Sequence, residues 1–293
     1  MSTTAPASEH ALVTARRVGS RLAAHVVMLA IAVIMLLPLA FMISTSLKTP
    51  EQVSAYPPQW IPAPFVWKNY ADAWQLKSIR RVTMGTWLLN TAKVASLDTM
   101  GSLFLCSLAA YAFARLRFPG KGIAFSALLA TLMIPYTVRV VPLYALFKNL
   151  HWINTHLPLI VPPMMTNVFG IFLLRQFFMT LPVELDEAAW VDGASNFRVY
   201  AQILMPLSKP ALATLGLFTF RTAWNSFLPP LIFINSPSKQ LITVGITLFR
   251  YEFNVQWELL MAGSSIAVLP MLVIFILAQQ YFVQGISLTG IKG

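Results

Sequence analysis

Two stretches of this sequence hold residues whose types and spacing can do chemistry. The first is 181–210, LPVELDEAAWVDGASNFRVYAQILMPLSKP, a long hydrophilic interruption in an apolar chain. Glu184, Asp186 and Glu187 follow Pro182 and fall in the first turns of a helix, where the dipole favours acids. Ala188 and Ala189 extend that helix and let another backbone come close. Gly193 supplies a stop, because glycine reaches the left-handed conformation without penalty. Ser195 is placed to cap a second short helix, in which Phe197, Tyr200 and Leu204 form one apolar stripe. Pro206 and Pro210 then stop it. The product is a helix–turn–helix suited to docking: an amphipathic connector on lipid headgroups, or a seat for a partner protein. The second stretch is Arg221 with Trp224, Asn225 and Leu228, which share a helical face. A guanidinium is a rigid fork of donors for an anion, an amide suits hydroxyls, and an indole suits the C–H face of a sugar. The competing role for Arg221 is a structural ion pair with Asp98.

Other chemistry has no foothold. His10, His25, His151 and His156 follow no metal-ligand spacing, and Cys106 is the one cysteine. No acid, base and nucleophile cluster within a loop, so no catalytic residues and no metal ligands are assigned. Gly120-Lys121-Gly122 lacks the upstream glycine and the following Ser/Thr of a phosphate loop, so this chain is expected to bind neither ATP nor another cofactor.

The elements that must position these residues are membrane helices. Of 293 residues, 57% are hydrophobic and 11% charged, with a mean hydropathy of +0.67. Soluble domains carry about 25% charged residues, so a water-soluble fold is excluded. The net charge of +11 comes from Lys and Arg scattered between apolar runs, which argues against a nucleic-acid surface. A spanning helix needs about 20 apolar residues. Six stretches qualify: 22–47, 84–114, 122–141, 157–174, 210–234 and 259–291. Lys93, within the second, is near enough to a helix end to snorkel. Arg16, Arg17 and Arg21 precede the first span and place the N-terminus in the cytoplasm, although basic residues over the whole chain divide almost evenly between the two sides. Residues 48–81, rich in proline and in Trp60, Trp67 and Trp74, read as an ordered loop at the membrane interface. A secondary transporter would need repeats or broken helices with coupling acids, and Asp98 is the one acid in a span. A membrane-embedded enzyme would need convergent His, Asp or Glu.

Glu187-Ala188-Ala189, Asp192-Gly193-Ala194, then Ile203, Pro206 and Pro210 resemble the EAA loop of ABC-importer permeases. The stretches 110–115 (AYAFAR), 118–120 (FPG), 171–177 (IFLLRQF), 224–227 (WNSF) and 280–286 (QYFVQGI), with Lys292-Gly293, resemble the carbohydrate-uptake branch typified by maltose-transporter permeases. The resemblance covers roughly residues 82 to 293. It implies an all-α integral membrane protein with the type I ABC importer permease fold. Six transmembrane helices would carry a cytoplasmic helix–turn–helix (181–209) between the fourth and fifth. The implied division is a cytoplasmic tail (1–21), a first helix and extracytoplasmic loop (22–81), an importer domain (82–284) and a cytoplasmic tail (285–293). The implied partners are a second homologous permease, an extracytoplasmic solute-binding protein and two cytoplasmic ATPases, which use ATP and Mg. Glu187, Ala188, Ala189, Asp192, Gly193, Ala194, Ile203 and Pro206 would couple to an ATPase, while Arg221, Trp224 and Asn225 would line the translocation path. The implied location is the inner, cytoplasmic membrane of a prokaryote, with both termini in the cytoplasm.

Overall fold

The computed structural model describes residues 7–75, 82–249 and 255–287. Helix α1 (Ala7–Ser46) is followed by two short helices in the Pro/Trp-rich loop, α2 (Pro50–Ser54) and α3 (Lys68–Gln75). Helix α4 (Met84–Arg115) is unbroken over 32 residues, about 48 Å at 1.5 Å per residue. Then come α5 (Lys121–Ala130), α6 (Tyr136–Asn149), α7 (Leu157–Met165) and α8 (Val168–Thr180). The hydrophilic stretch forms α9 (Glu184–Val191) and α10 (Asn196–Val199), which runs through a π-helical turn (Tyr200–Leu204) into α11 (Met205–Leu207). The chain ends with α12 (Lys209–Trp224), α13 (Leu228–Phe233), α14 (Ile242–Gly245) and α15 (Trp257–Ser287).

Among the described residues four segments are long and apolar enough to cross a bilayer: Gly19–Ser46, Met84–Arg115, Leu157–Thr180 and Trp257–Leu277. Two bent pairs raise the number to six if each counts as one span. The expected continuous spans 122–141 and 210–234 are corrected here. The first breaks by 98° between Met133 and Tyr136, because Ile134 precedes Pro135 and takes an extended backbone, φ −85° and ψ 110°. The second ends at Trp224, and a turn separates it from α13. It joins the segment Asn196–Leu207 at Ser208 through a 78° bend. Pro210 sits in the first turn of α12, where no amide hydrogen is needed, so it starts a helix rather than stopping one, whereas Pro206 falls in the last turn of the continuous run Asn196–Leu207. Helix α1 already begins within the expected tail 1–21, and α15 runs on to Ser287. The remainder of the expected C-terminal tail, with Thr289, Gly290, Lys292 and Gly293, lies outside the described residues.

Helix α4 is the axis of the packing. Towards its C-terminal end Cys106 and Ala110 pack with Leu174 and Phe178 of α8, Leu204 of the π-helical turn and Leu215 of α12. A Cβ on Gly170 would stand 2.9 Å from Cys106 Sγ and 3.0 Å from Leu215 Cδ1, so only glycine lets these three helices meet. Towards its N-terminal end Met84 and Trp87 pack with Ile242, Phe249 and Ala262. The apolar surface of α1 is exposed from Leu22 to Ile43, as a lipid-facing helix requires.

At that N-terminal end the loops are stitched by polar side chains. Trp87 Nε1 donates to the Pro237 carbonyl (2.7 Å), and Asn90 Nδ2 to those of Ser238 (2.9 Å) and Gln240 (3.1 Å). Asn154 holds the segment from the other side. Its Oδ1 accepts from the amides of Asn235 (3.2 Å) and Ser236 (3.0 Å), and its Nδ2 donates to Ser236 Oγ (2.9 Å). Its φ of 61° lies in the left-handed region that asparagine tolerates better than most residues. Asn154→Ala is expected to cost about 2–3 kcal/mol, at about 1 kcal/mol per lost hydrogen bond. Proteolysis of the 235–241 segment should accelerate while the protein still inserts, and unchanged proteolysis would refute the assignment.

Candidate functional site

The helix–turn–helix forms as its sequence directs. Helix α9 ends in a Schellman motif: the Ala194 amide donates to the Ala189 carbonyl (2.9 Å) and the Gly193 amide to that of Trp190 (3.0 Å). Gly193 has a φ of 78°, the left-handed value that the motif needs at this position. Ser195 Oγ accepts from the Arg198 amide (3.3 Å) and caps α10. The apolar stripe differs from expectation, because Tyr200 and Leu204 are buried beside Val199 whereas Phe197 is 68% exposed. The π-helical turn inserts an extra residue and carries Leu204 off the face of Phe197.

What roots the loop is a pair of residues that the sequence reading did not single out. Arg115, the last residue of α4, and Asp186 of α9 have side chains 6% and 1% exposed, and Arg115 Nε lies 2.9 Å from Asp186 Oδ2. The N–H is not aligned as a hydrogen bond, so charge holds the contact. Arg115 Nη2 also donates to the Leu181 carbonyl (2.8 Å). Burial pushes the Asp186 carboxyl above the usual range, the Arg115 guanidinium pulls it back, and neighbouring Glu187 adds a further upward push. The signal was periodic: Asp186 and Ala189 stand three apart on one face, and Ala189 packs on the core. A second root is Tyr200, whose hydroxyl lies 2.8 Å from Ser107 Oγ of α4 in a buried contact. Tyr200→Phe should cost about 1 kcal/mol, read as a small drop in the thermal midpoint of the detergent-solubilised protein. No drop would mean that the contact contributes nothing.

Around this root the predicted coupling residues divide. Glu187, Ala188, Asp192, Gly193 and Pro206 are exposed, while Ala189, Ala194 and Ile203 are half-buried against the core. Val191 is 88% exposed, so the outer side of the loop is apolar as well as acidic.

Arg221, in the last turn of α12, and Asn225, its C-cap, lie at the end of that helix far from the coupling loop, about 24 Å along for its 16 residues. Both are exposed, and Asn225 Nδ2 donates to the Arg221 carbonyl (2.9 Å). Arg221 therefore stands in the last turn of a helix, where the dipole favours a cation, rather than in the middle of a long span. Trp224 is 4% exposed, its ring stacks on Phe220 with centroids 5.6 Å apart, and its Nε1 donates to the Ala267 carbonyl of α15 (3.2 Å). The structure thus puts Trp224 in the packing between α12 and α15, apart from the exposed Arg221 and Asn225. Asp98 does not pair with Arg221. It is 5% exposed on α4 and accepts from Ser102 Oγ (3.2 Å), and Arg221 has no ion pair with a described residue.

Known proteins resemble the chain over most of its length. It is 33% identical over 273 residues to the sn-glycerol-3-phosphate transport system permease protein UgpE of Yersinia pestis bv. Antiqua, covering 92% of this chain and 97% of that protein. It is 32% identical over 261 residues to the Probable ABC transporter permease protein YurM of Bacillus subtilis (strain 168), covering 87% and 83%. The fold is shared with a chain from the crystal structure of a bacterial ABC transporter involved in the import of the acidic polysaccharide alginate. The TM-score is 0.77 at 19% identity, over 96% of this chain and 100% of that one. Residues 102–288 match the family described as binding-protein-dependent transport system inner membrane component, and the chain belongs to that family, as a permease of an ABC transporter.

Proposed function

We propose that this permease carries a sugar, an oligosaccharide or a sugar derivative that an extracytoplasmic binding protein delivers. It works beside a second homologous permease, with two cytoplasmic ATPases that bind ATP and Mg and perform the hydrolysis. In this reading 181–209 is the cytoplasmic coupling loop, both termini are cytoplasmic, and six spans cross the inner membrane, the bent pair of α5 and α6 counting as the third and α12 as the fifth. The observation that carries it is the loop itself, with an exposed acidic and apolar outer side on a root buried against α4. Glu187 supplies polar contacts to the ATPase, and Ala188 and Gly193 permit its approach. The reading of the solute class draws on the named relatives and on the exposed guanidinium of Arg221.

Gly193→Asp tests the coupling role. A Cβ at Gly193 meets nothing within 4 Å in this chain, so the turn itself has room, and aspartate is one of the residues that visits a positive φ. The strain of a side chain at this positive φ acts on folding and membrane levels, so a loss confined to ATPase binding and uptake comes from the partner surface. Membrane levels should stay constant while ATPase binding and uptake fall about tenfold or more, a loss of ~1.4 kcal/mol or above. Normal ATPase binding and transport in this variant would sink the coupling assignment.

A further inference from the structure

A cavity of about 400 Å³ lies far from the coupling loop in sequence, where the end of α1, α2 and the first turns of α15 meet. Its lining includes Phe41, Thr45, Lys48, Gln59, Trp257 and Met261, with no acid among the described residues. Lys48 and Thr45 are each 3% exposed. Lysine is almost never so buried without a partner, yet Lys48 forms no ion pair with a described residue, and its Nζ rests over the Phe41 ring, 5.2 Å from the centroid. The Thr45 hydroxyl is buried with no hydrogen-bond partner. Glu258, at the head of α15, is buried but neither lines the cavity nor pairs with Lys48.

The backbone here is held in place. Asn69 Nδ2 donates to the carbonyls of Ser46 (3.0 Å) and Lys48 (2.8 Å), and the Val66 amide to that of Leu47 (2.8 Å). A cation and a spare hydroxyl are thereby fixed in a space with no counter-charge among the described residues. The surroundings indicate depth. Trp60 and Trp257 are 59% and 45% exposed beside the end of the apolar α1 surface, and exposed aromatic residues mark the headgroup level. Phe41 belongs to both the cavity and that apolar surface.

We propose that this pocket binds a phosphate group, supplied by the headgroup of an anionic phospholipid, with Lys48 and Thr45 as donors and Phe41 leading its acyl chains onto α1. Free phosphate presents the same chemistry, so the test separates the two sources. The assembled transporter is placed in nanodiscs of phosphatidylcholine alone, or with phosphatidylglycerol added, and its thermal midpoint is read for wild type, Lys48→Met, Lys48→Arg and Thr45→Val. Phosphatidylglycerol should raise the wild-type midpoint by roughly 2–4 °C. Lys48→Arg should keep the shift, Thr45→Val should reduce it, and Lys48→Met should abolish it. Lys48→Met should be no less stable than wild type in phosphatidylcholine, since it removes a buried charge whose described contact is the Phe41 ring and no anion. A Lys48-dependent shift produced by inorganic phosphate in phosphatidylcholine discs, and not by phosphatidylglycerol, would overturn the lipid source and assign the pocket to free phosphate. Equal shifts in wild type and Lys48→Met would overturn the proposal. If Lys48→Met fails to assemble, the Lys48→Arg and Thr45→Val pair decides, and an unchanged shift in Thr45→Val then counts against it.

Discussion

Asp186→Ala is expected to abolish uptake while leaving the spans folded. The substitution strands the Arg115 guanidinium, whose side chain is 6% exposed, with only the Leu181 carbonyl as partner. Breaking a buried ion pair by removing one member costs about 3–5 kcal/mol. That is comparable to the whole stability of many domains, at about 5–15 kcal/mol, but here the loss is local. The packing of α4 with α8 and α12 runs through Cys106, Leu174 and Leu215 and does not need the carboxylate. Helix α9 should therefore detach from the end of α4 and the coupling loop should lose its aim. Uptake should fall at least a hundredfold, proteolysis within 181–209 should accelerate, and membrane levels should hold. The apolar double variant Arg115→Met/Asp186→Leu provides the control, because well-packed hydrophobic replacements of a buried pair are often neutral. It should recover protease resistance, and any uptake that it recovers measures how much of the role is positional. Asp186→Ala with wild-type uptake and protease resistance would show that the pair does not hold the loop.

The coupling loop was legible in sequence because its signals are local. An acidic first turn, a glycine at the helix stop and a serine cap each act within a few residues, and Gly193 and Ser195 take up the expected geometry. The Arg115–Asp186 root was not legible in the same way, since 70 positions separate the two and nothing local announces that they meet. The third and fifth spans were misread because hydropathy averages over prolines. Pro135 bends the third by 98°, and the fifth stops at Trp224, before a turn and the Pro229-Pro230 start of α13. Trp224 shows a further limit. Its spacing from Arg221 puts both on one face of an ideal helix, yet the Trp224 indole reaches the Ala267 carbonyl on a helix far away in sequence. Which side of a helix meets a neighbour is a tertiary fact, and periodicity alone does not contain it.

Arg221→Gln should keep the folded yield and lower transport of an anionic solute by roughly 10–100-fold. Arg221 is exposed in this chain and has no ion pair with a described residue, so its charge interacts with the fold only through the modest dipole of its helix end. Its place in the last turn of α12, beside the exposed Asn225, offers the guanidinium to a solute. Asn225 supports that placement, since its amide is exposed beside the same helix end. A hydrogen bond to a charged group is worth about 1.5–3 kcal/mol, and each 1.4 kcal/mol is tenfold, which sets the expected range. Glutamine is shorter and keeps an amide donor but no charge, so a neutral sugar should lose much less than an acidic one. Asp98→Asn supplies the contrast. Asp98 is buried on α4 and accepts from Ser102, and replacing it should leave uptake nearly intact. Because the two residues share no contact, the double variant should show the sum of the single effects within about 0.5 kcal/mol. If instead both single variants lose folded protein and the double variant regains it, Arg221 and Asp98 form a structural pair in the assembled transporter. If Arg221→Gln transports an acidic solute at the wild-type rate, Arg221 does not touch the solute.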